Sequence, residues 1–179
     1  MMGKLGNIGR LWACDEGAAA AEMVLVLPLL VVLMFGSFET GKYFLDEHVV
    51  VKAVRDGARY ASRQGFGEYV CPGAAVSTAV TDRTRNIVRF GKPTPVVADA
   101  PRLSYWQATS DGQPSVRVTI TCEATLDGTE VQGGLYTGKP IPVVTVLAVV
   151  EYESFFGMFG FGGGILNVTA ESQSAVMGI

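Results

Sequence analysis

The window Ala18–Phe38 constrains this chain more than any other feature: 17 of its 21 residues are hydrophobic and Glu22 is its only charge. As a helix these residues rise about 31 Å, close to the ~30 Å hydrocarbon core of a bilayer. Pro28 is tolerable there, because membrane helices accept a kink that water-exposed helices do not. An acid in such a run costs a few kcal/mol to insert, so Glu22 either carries function or sits at the interface and snorkels. The preceding MMGKLGNIGRLWACDEG carries Lys4, Arg10, Asp15 and Glu16. A secretory signal peptide fits poorly: the basic start is weak, the apolar run is long, and Phe35-Gly36-Ser37-Phe38 is a poor cut site. A lipoprotein signal fits worse, since its apolar region would precede Cys14 and here follows it. A membrane anchor behind a polar cytoplasmic leader remains.

The helical pattern continues beyond the bilayer length. Val50, Val54, Ala58 and Ala61 recur on one face, and Lys52, Arg55, Asp56, Arg59 and Arg63 lie elsewhere. The pattern predicts one helix over 18–64, about 70 Å if unbroken, first in lipid and then packed on a domain. Gly36, Gly41 and Gly57 are places where it bends or admits another helix. Cys71-Pro72 predicts the opening of a second helix, with Val76, Ala79, Val80 and Ile87 as its apolar stripe and Gly91 and Pro93 as its stop. Its Arg83, Arg85 and Arg89 read as a solvated face. Strands are expected over Ser115–Ala124, Pro142–Tyr152 and from Leu166 toward Met177, with a weaker one near Arg102–Ala108. In the first, Val116, Val118, Ile120 and Cys122 point one way and Arg117, Thr119, Thr121 and Glu123 the other. Three or four antiparallel strands after helices give an α+β class, with the long helix on one face of a small sheet and a second helix beside it.

Outside the apolar window the hydrophobic share is about 45%, ordinary for a globular domain. Net charge −3 argues against a nucleic-acid partner. The single histidine, His48, reads as a surface residue. With no convergent catalytic groups, neither enzymatic activity nor a cofactor or metal is expected. Gly133-Gly134-Leu135-Tyr136-Thr137-Gly138-Lys139-Pro140 approaches a phosphate-binding loop, but Pro140 replaces the magnesium-binding hydroxyl and a strand pattern follows, so it reads as a turn. Phe155, Phe156, Met158, Phe159 and Phe161 lie among glycines between two strands. They form a loop that either folds onto the domain or docks on another subunit or the membrane surface.

Gly17-Ala18-Ala19-Ala20-Ala21-Glu22 resembles the class III prepilin cleavage site, cut after Gly with Glu at the fifth mature position. The longer run GAAAAEMVLVLPLLVVLMFGSFETGKYF, followed by VVVKAVRDGARYASRQ, resembles the TadE-like pseudopilins of tight-adherence (Flp, type IVc) pili. Glu39-Thr40-Gly41 stands for that family's acid-x-Gly step, and Val54-Arg55-Asp56-Gly57-Ala58-Arg59-Tyr60 for its Ala-Arg-x-Gly-Ala-Arg-Tyr helix. Val54 departs from its usual Ala, and Met23 from its usual aromatic. The resemblance implies a leader 1–17 removed after Gly17, a transmembrane part near 18–38, and an extracytoplasmic domain over 65–179. It implies a minor pilin-like structural subunit in the bacterial inner membrane, N-terminus cytoplasmic and domain periplasmic, which enters the pilus or stays in the membrane. Implied partners are the prepilin peptidase, the inner-membrane platform and motor, the major pilin, other pseudopilins and the lipid bilayer. The alternative is an uncleaved, membrane-anchored binding domain. Cutting would place a new α-amine on Ala18, one helical turn from Glu22, whose carboxylate could neutralise it or a neighbour's. Cys14 would leave with the leader. Cys71 and Cys122 then form an even pair in the exported part and are expected to be disulfide-bonded, the alternative being two buried free thiols.

Overall fold

The apolar run and the amphipathic run form one helix, α1 (Glu16–Ser62). The structure, a computed structural model, describes residues 16–71, 73–123, 136, 140–154, 157 and 166–178. Two units are present, Met1–Lys42 and Tyr43–Ile179, and α1 supplies residues to both. In the second unit Val50, Val54, Ala58 and Ala61 of α1 are buried, as the spacing predicts, and Ala53 is buried with them. The helix closes at Ser62, two residues short of Gln64. The amides of Arg63 and Gln64 bond Tyr60 O and Ala61 O at 3.3 and 3.1 Å, a tightened last turn that uses up otherwise orphaned carbonyls.

The expected helix opening at Cys71-Pro72 is not there. A short 3₁₀ turn, Phe66–Glu68, leads into a hairpin of β1 (Tyr69–Val70) and β2 (Ala75–Val76). Gly73 (φ 134°) and Ala74 (φ 53°) turn the chain left-handed, which ends any helix beginning before them. The second helix, α2 (Thr78–Phe90), starts at the Ser77 cap, whose Oγ accepts from Val80 N at 3.3 Å. It stops at Gly91 (φ 78°), whose amide donates to Ile87 O at 2.8 Å. Its buried stripe is Val80, Thr84, Ile87 and Val88, while Ala79 is exposed and Val76 belongs to β2. Two of its three arginines are also not a solvated face. Arg85 Nε donates to Val116 O at 3.1 Å and Arg89 Nη2 to Trp106 O at 3.2 Å, so both pin the helix to its neighbours. Burial lowers the Arg89 pKa.

No strand forms over Arg102–Ala108. That stretch turns, with Trp106 N donating to Leu103 O at 2.9 Å, and it buries Leu103 and Trp106 in the core. A hairpin of β3 (Thr109–Ser110) and β4 (Gln113–Pro114) follows, closed by Asp111 and Gly112 at φ 51° and 73°. These positive angles are what an Asp-Gly two-residue turn supplies.

The main sheet is antiparallel, in the order β5 (Val116–Glu123), β6 (Ile141–Glu151), β7 (Asn167–Ala175). Val118 faces Val146 across one pair, and Val146 faces Ser172 across the other. On the inner face Val116, Ile120, Val144, Val146, Ala148 and Val168 are buried against the second half of α1, α2 and Trp106. The α+β class is therefore as expected. Cys71 and Cys122 are disulfide-bonded with their Cα atoms 5.9 Å apart. Cys122 lies on the inner-face side of β5, but its partner lies in the β1–β2 turn and not on a helix. The residues 1–15 of the leader, Pro72, most of the turn at 133–139, and Phe155, Phe156, Met158, Phe159 and Phe161 lie outside the described residues.

Candidate functional site

The first described turns of α1 hold Gly17, Ala18 and Glu22, the three residues that the processing reading needs. Gly17 and Glu22 are exposed. From Met23 to Phe38 twelve large apolar side chains are also exposed, among them Leu25 at 79% and Val24 at 70%. Moving a dozen such side chains from water into lipid is worth roughly 20 kcal/mol or more. Inserting Glu22 costs only a few kcal/mol. Transfer of the segment into a bilayer is therefore favourable despite its acid, and α1 is long and apolar enough to cross one. The polar groups toward the end of this stretch are satisfied within the helix. Ser37 Oγ donates to Leu33 O and Thr40 Oγ1 to Gly36 O, both at 2.8 Å, which removes the cost of an unpaired hydroxyl in an apolar medium. Among the described residues, nothing approaches the Cβ position of Gly36 or Gly41 within 4 Å.

In the unit Tyr43–Ile179 the same helix is held by specific contacts. Tyr105 Oη donates to Asp46 Oδ2 at 2.6 Å. Burial, then that hydrogen bond and the charge of Asp46, push the Tyr105 pKa well up. Tyr43 stacks edge-on against Tyr152 with centroids 5.4 Å apart. Arg102 Nη2 meets Asp56 Oδ2 at 2.9 Å. At Gly57 the helix comes so close to α2 and β6 that an added Cβ would overlap Val88 Cγ2. It would also stand 3.4 Å from Thr84 Cγ2 and 3.7 Å from Val146 Cγ1. Ala58, the next residue, is buried, while Arg55 and Arg59 are exposed. Tyr69 Oη donates to Ala61 O, and burial, followed by the nearby Glu68 and Tyr60, raises its pKa.

One helix thus carries a Gly-x4-Glu start, an all-round apolar stretch and a Gly-Ala contact that closes on a domain. Residues 17–59 match the TadE-like protein family. The matched TadE-like span begins at Gly17 and ends at Arg59, one residue after the buried Ala58. The rest of the domain lies outside it. The match associates this segment with the Tad pilus system. No curated protein and no solved structure matches the chain.

The structure gives the TadE-like helix motif a physical meaning. Its glycine is the point of closest helix approach, its alanine fills the core, and its arginines face solvent. The candidate pair Cys71 and Cys122 is joined 51 residues apart in sequence. Two contacts escape a reading of the sequence, Asp46–Tyr105 and Asp56–Arg102. Each joins residues more than 45 positions apart, and neither shows a spacing that local periodicity detects.

Proposed function

We propose that the chain is a minor pilin-like structural subunit in assembly of a Tad/Flp-type pilus used for surface adherence. The observation that carries this is the position of the TadE-like match. It opens at Gly17, the residue after which the chain would be cut, and Glu22 follows as the only charge of an exposed apolar helix segment. The role is structural and not catalytic.

In this reading a prepilin peptidase cuts after Gly17 on the cytoplasmic side. Gly suits the cut because a peptidase must bind extended backbone closely, and glycine brings no side chain. The new amine on Ala18 is one turn from Glu22, so the pair neutralises itself, or Glu22 neutralises a neighbouring subunit's amine, inside an apolar helix bundle. Either pairing relieves a burial cost of several kcal/mol per ion. The domain beyond lies in the periplasm. The platform, motor, major pilin and companion pseudopilins are its partners in assembly.

Mass spectrometry of the membrane-extracted protein tests the reading. Cells with the peptidase are expected to yield a chain starting at Ala18, and cells lacking it a chain that keeps its leader. An intact leader in both would overturn it and favour a permanently anchored domain. Glu22→Gln is expected to leave membrane insertion and cleavage intact while reducing assembly.

A further inference from the structure

Strand β6 is apolar on both faces, although an antiparallel sheet with one wet face needs only one apolar side. Pro142, Val144, Val146, Ala148 and Val150 are buried inward. The alternate Val143, Thr145, Leu147 and Val149 are half-buried on the outer face. The register supplies their neighbours. Val143 lies between Thr121 and Ala175, Thr145 between Thr119 and Gln173, and Leu147 between Arg117 and Glu171. All six flanking residues are exposed. Among the described elements, β3 touches β6 at its Glu151 end, where Ser110 Oγ donates to Glu151 Oε1 at 3.2 Å. The helices lie on the inner face. The outer face is thus an apolar stripe along β6 between two polar rows, positive beside Leu147 on β5 and negative beside it on β7.

We propose that this outer sheet face is a self-association surface that takes a second copy of this chain, related by a two-fold axis parallel to β6 and passing over Leu147. The charge pattern selects that occupant. A two-fold along the strand exchanges left and right while turning the faces together. Arg117 of each copy then stands over Glu171 of the other, and Leu147 meets Leu147 between them. One Arg and one Glu per chain yield two reciprocal ion pairs, the mark of an isologous interface. A two-fold parallel to β6 lays the two β6 strands parallel, with the facing sheets about 10 Å apart, so Val143 and Thr145 also meet their own counterparts. Three strands cover less than the ~800 Å² per partner of a stable free complex. Copies confined to one bilayer by their α1 segments gain the effective concentration that such a small face lacks. The proposal goes beyond the pilus reading, because its contacts use only residues of the unit Tyr43–Ile179, α1 enters as an anchor alone, and it holds whether or not the leader is removed.

The test uses the full chain in membranes, with Cys14→Ser to remove the thiol of the leader. Leu147→Cys, and separately Thr145→Cys, are expected to give a covalently linked dimer with a short bis-maleimide cross-linker, which spans the ~10 Å between facing sheets that a direct disulfide cannot. Arg83→Cys, an exposed position on α2, is expected to stay monomeric. Arg117→Glu and Glu171→Arg are each expected to lower the Leu147→Cys dimer yield about tenfold, since like charges then face each other. The double reversal is expected to restore it. Retention of the Cys71–Cys122 bond in each variant reports that the domain is folded. Several outcomes would overturn the proposal: no dimer from either probe, a link to a different protein, or single reversals without effect. A monomeric Leu147→Cys chain whose introduced thiol is shielded from maleimide by the chain's own residues would do so as well.

Discussion

Gly57→Ala separates a helix that merely passes the domain from one that is locked into it. On an exposed helix this change stabilises by about 1 kcal/mol, because alanine is the better helix former. Here the new methyl would overlap Val88 Cγ2, with Thr84 and Val146 close behind. Val88, Thr84 and Val146 are all fully buried, so none can swing out into solvent. Val88 is also β-branched and sits on α2, where one rotamer dominates. Overpacking a well-filled core costs about 1–3 kcal/mol. With so little room to give, the upper part of that range applies, and subtracting the propensity gain leaves a net loss of about 1–2 kcal/mol. For a domain of this size that lowers Tm by roughly 3–8 °C. Thermal and urea unfolding of the full chain in micelles, followed through Trp106, reads the effect. Val88→Ala removes the methyl that would clash, so in that background Gly57→Ala is expected to be neutral or stabilising, a coupling of about 1–3 kcal/mol. A Gly57→Ala chain as stable as the parent, or more stable, would refute the packing argument outright, since the sign itself is at stake.

Three further outcomes follow from the contacts. Removing the disulfide with Cys71→Ser/Cys122→Ser is expected to cost about 4 kcal/mol, the chain-entropy value for a loop closed over 51 residues, measured as the shift in urea midpoint. Asp56→Asn strips the half-buried Arg102 of its carboxylate partner at 2.9 Å; a loss of about 1–2 kcal/mol is expected, between the ranges for exposed and buried pairs, and Arg102→Met is expected to recover part of it. Tyr69 and Tyr105 both keep their protons in the folded state past their ordinary pKa near 10; above that pH the unfolded chain binds fewer protons, so stability is expected to fall as pH rises beyond 10. Tyr105→Phe is expected to flatten that decline, and urea midpoints at several pH values above and below 10 would check it.

Long, repetitive patterns are legible in the sequence, and short or long-range ones are not. The apolar and amphipathic runs of α1 span many turns, so their period survives local noise, and every residue of the expected stripe, Val50, Val54, Ala58 and Ala61, is buried. β5 and β6 are long enough to show alternation or a continuous apolar run, and their bounds fall within a residue or two of expectation. β1 to β4 have two residues each, too few for any alternation to register. Their turn chemistry is the available signal: Asp111-Gly112 marks the β3–β4 hairpin, and Ser77 outranks Pro72 as the start of α2. Arg85 and Arg89 mislead because an arginine on a helix reads as solvated, while their carbonyl partners on β5 and at Trp106 lie far away in sequence. The Cys71–Cys122 pairing is legible by count, but not the turn that positions Cys71.

The TadE-like span ends where it does for a reason that can be argued from the helix itself. Its early part is apolar on every side, as lipid favours, and no side need be small. Its later part faces a domain, and there the buried residues shrink to Val50, Ala53, Val54, Ala58 and Ala61, with Gly57 at the tightest point. A glycine in mid-helix sacrifices about 1 kcal/mol of helix propensity. It persists only if two other elements, α2 and β6, need the space that a Cβ would fill. Gly57-Ala58 is therefore the tightest of the contacts that the later part of α1 makes with the domain. The contacts that secure this particular domain, Arg102 to Asp56, Tyr105 to Asp46 and Cys71 to Cys122, each draw a partner from beyond residue 59. A segment shared across a family can specify the apolar helix and the docking stripe, and leave the domain's own fastenings to the rest of the chain.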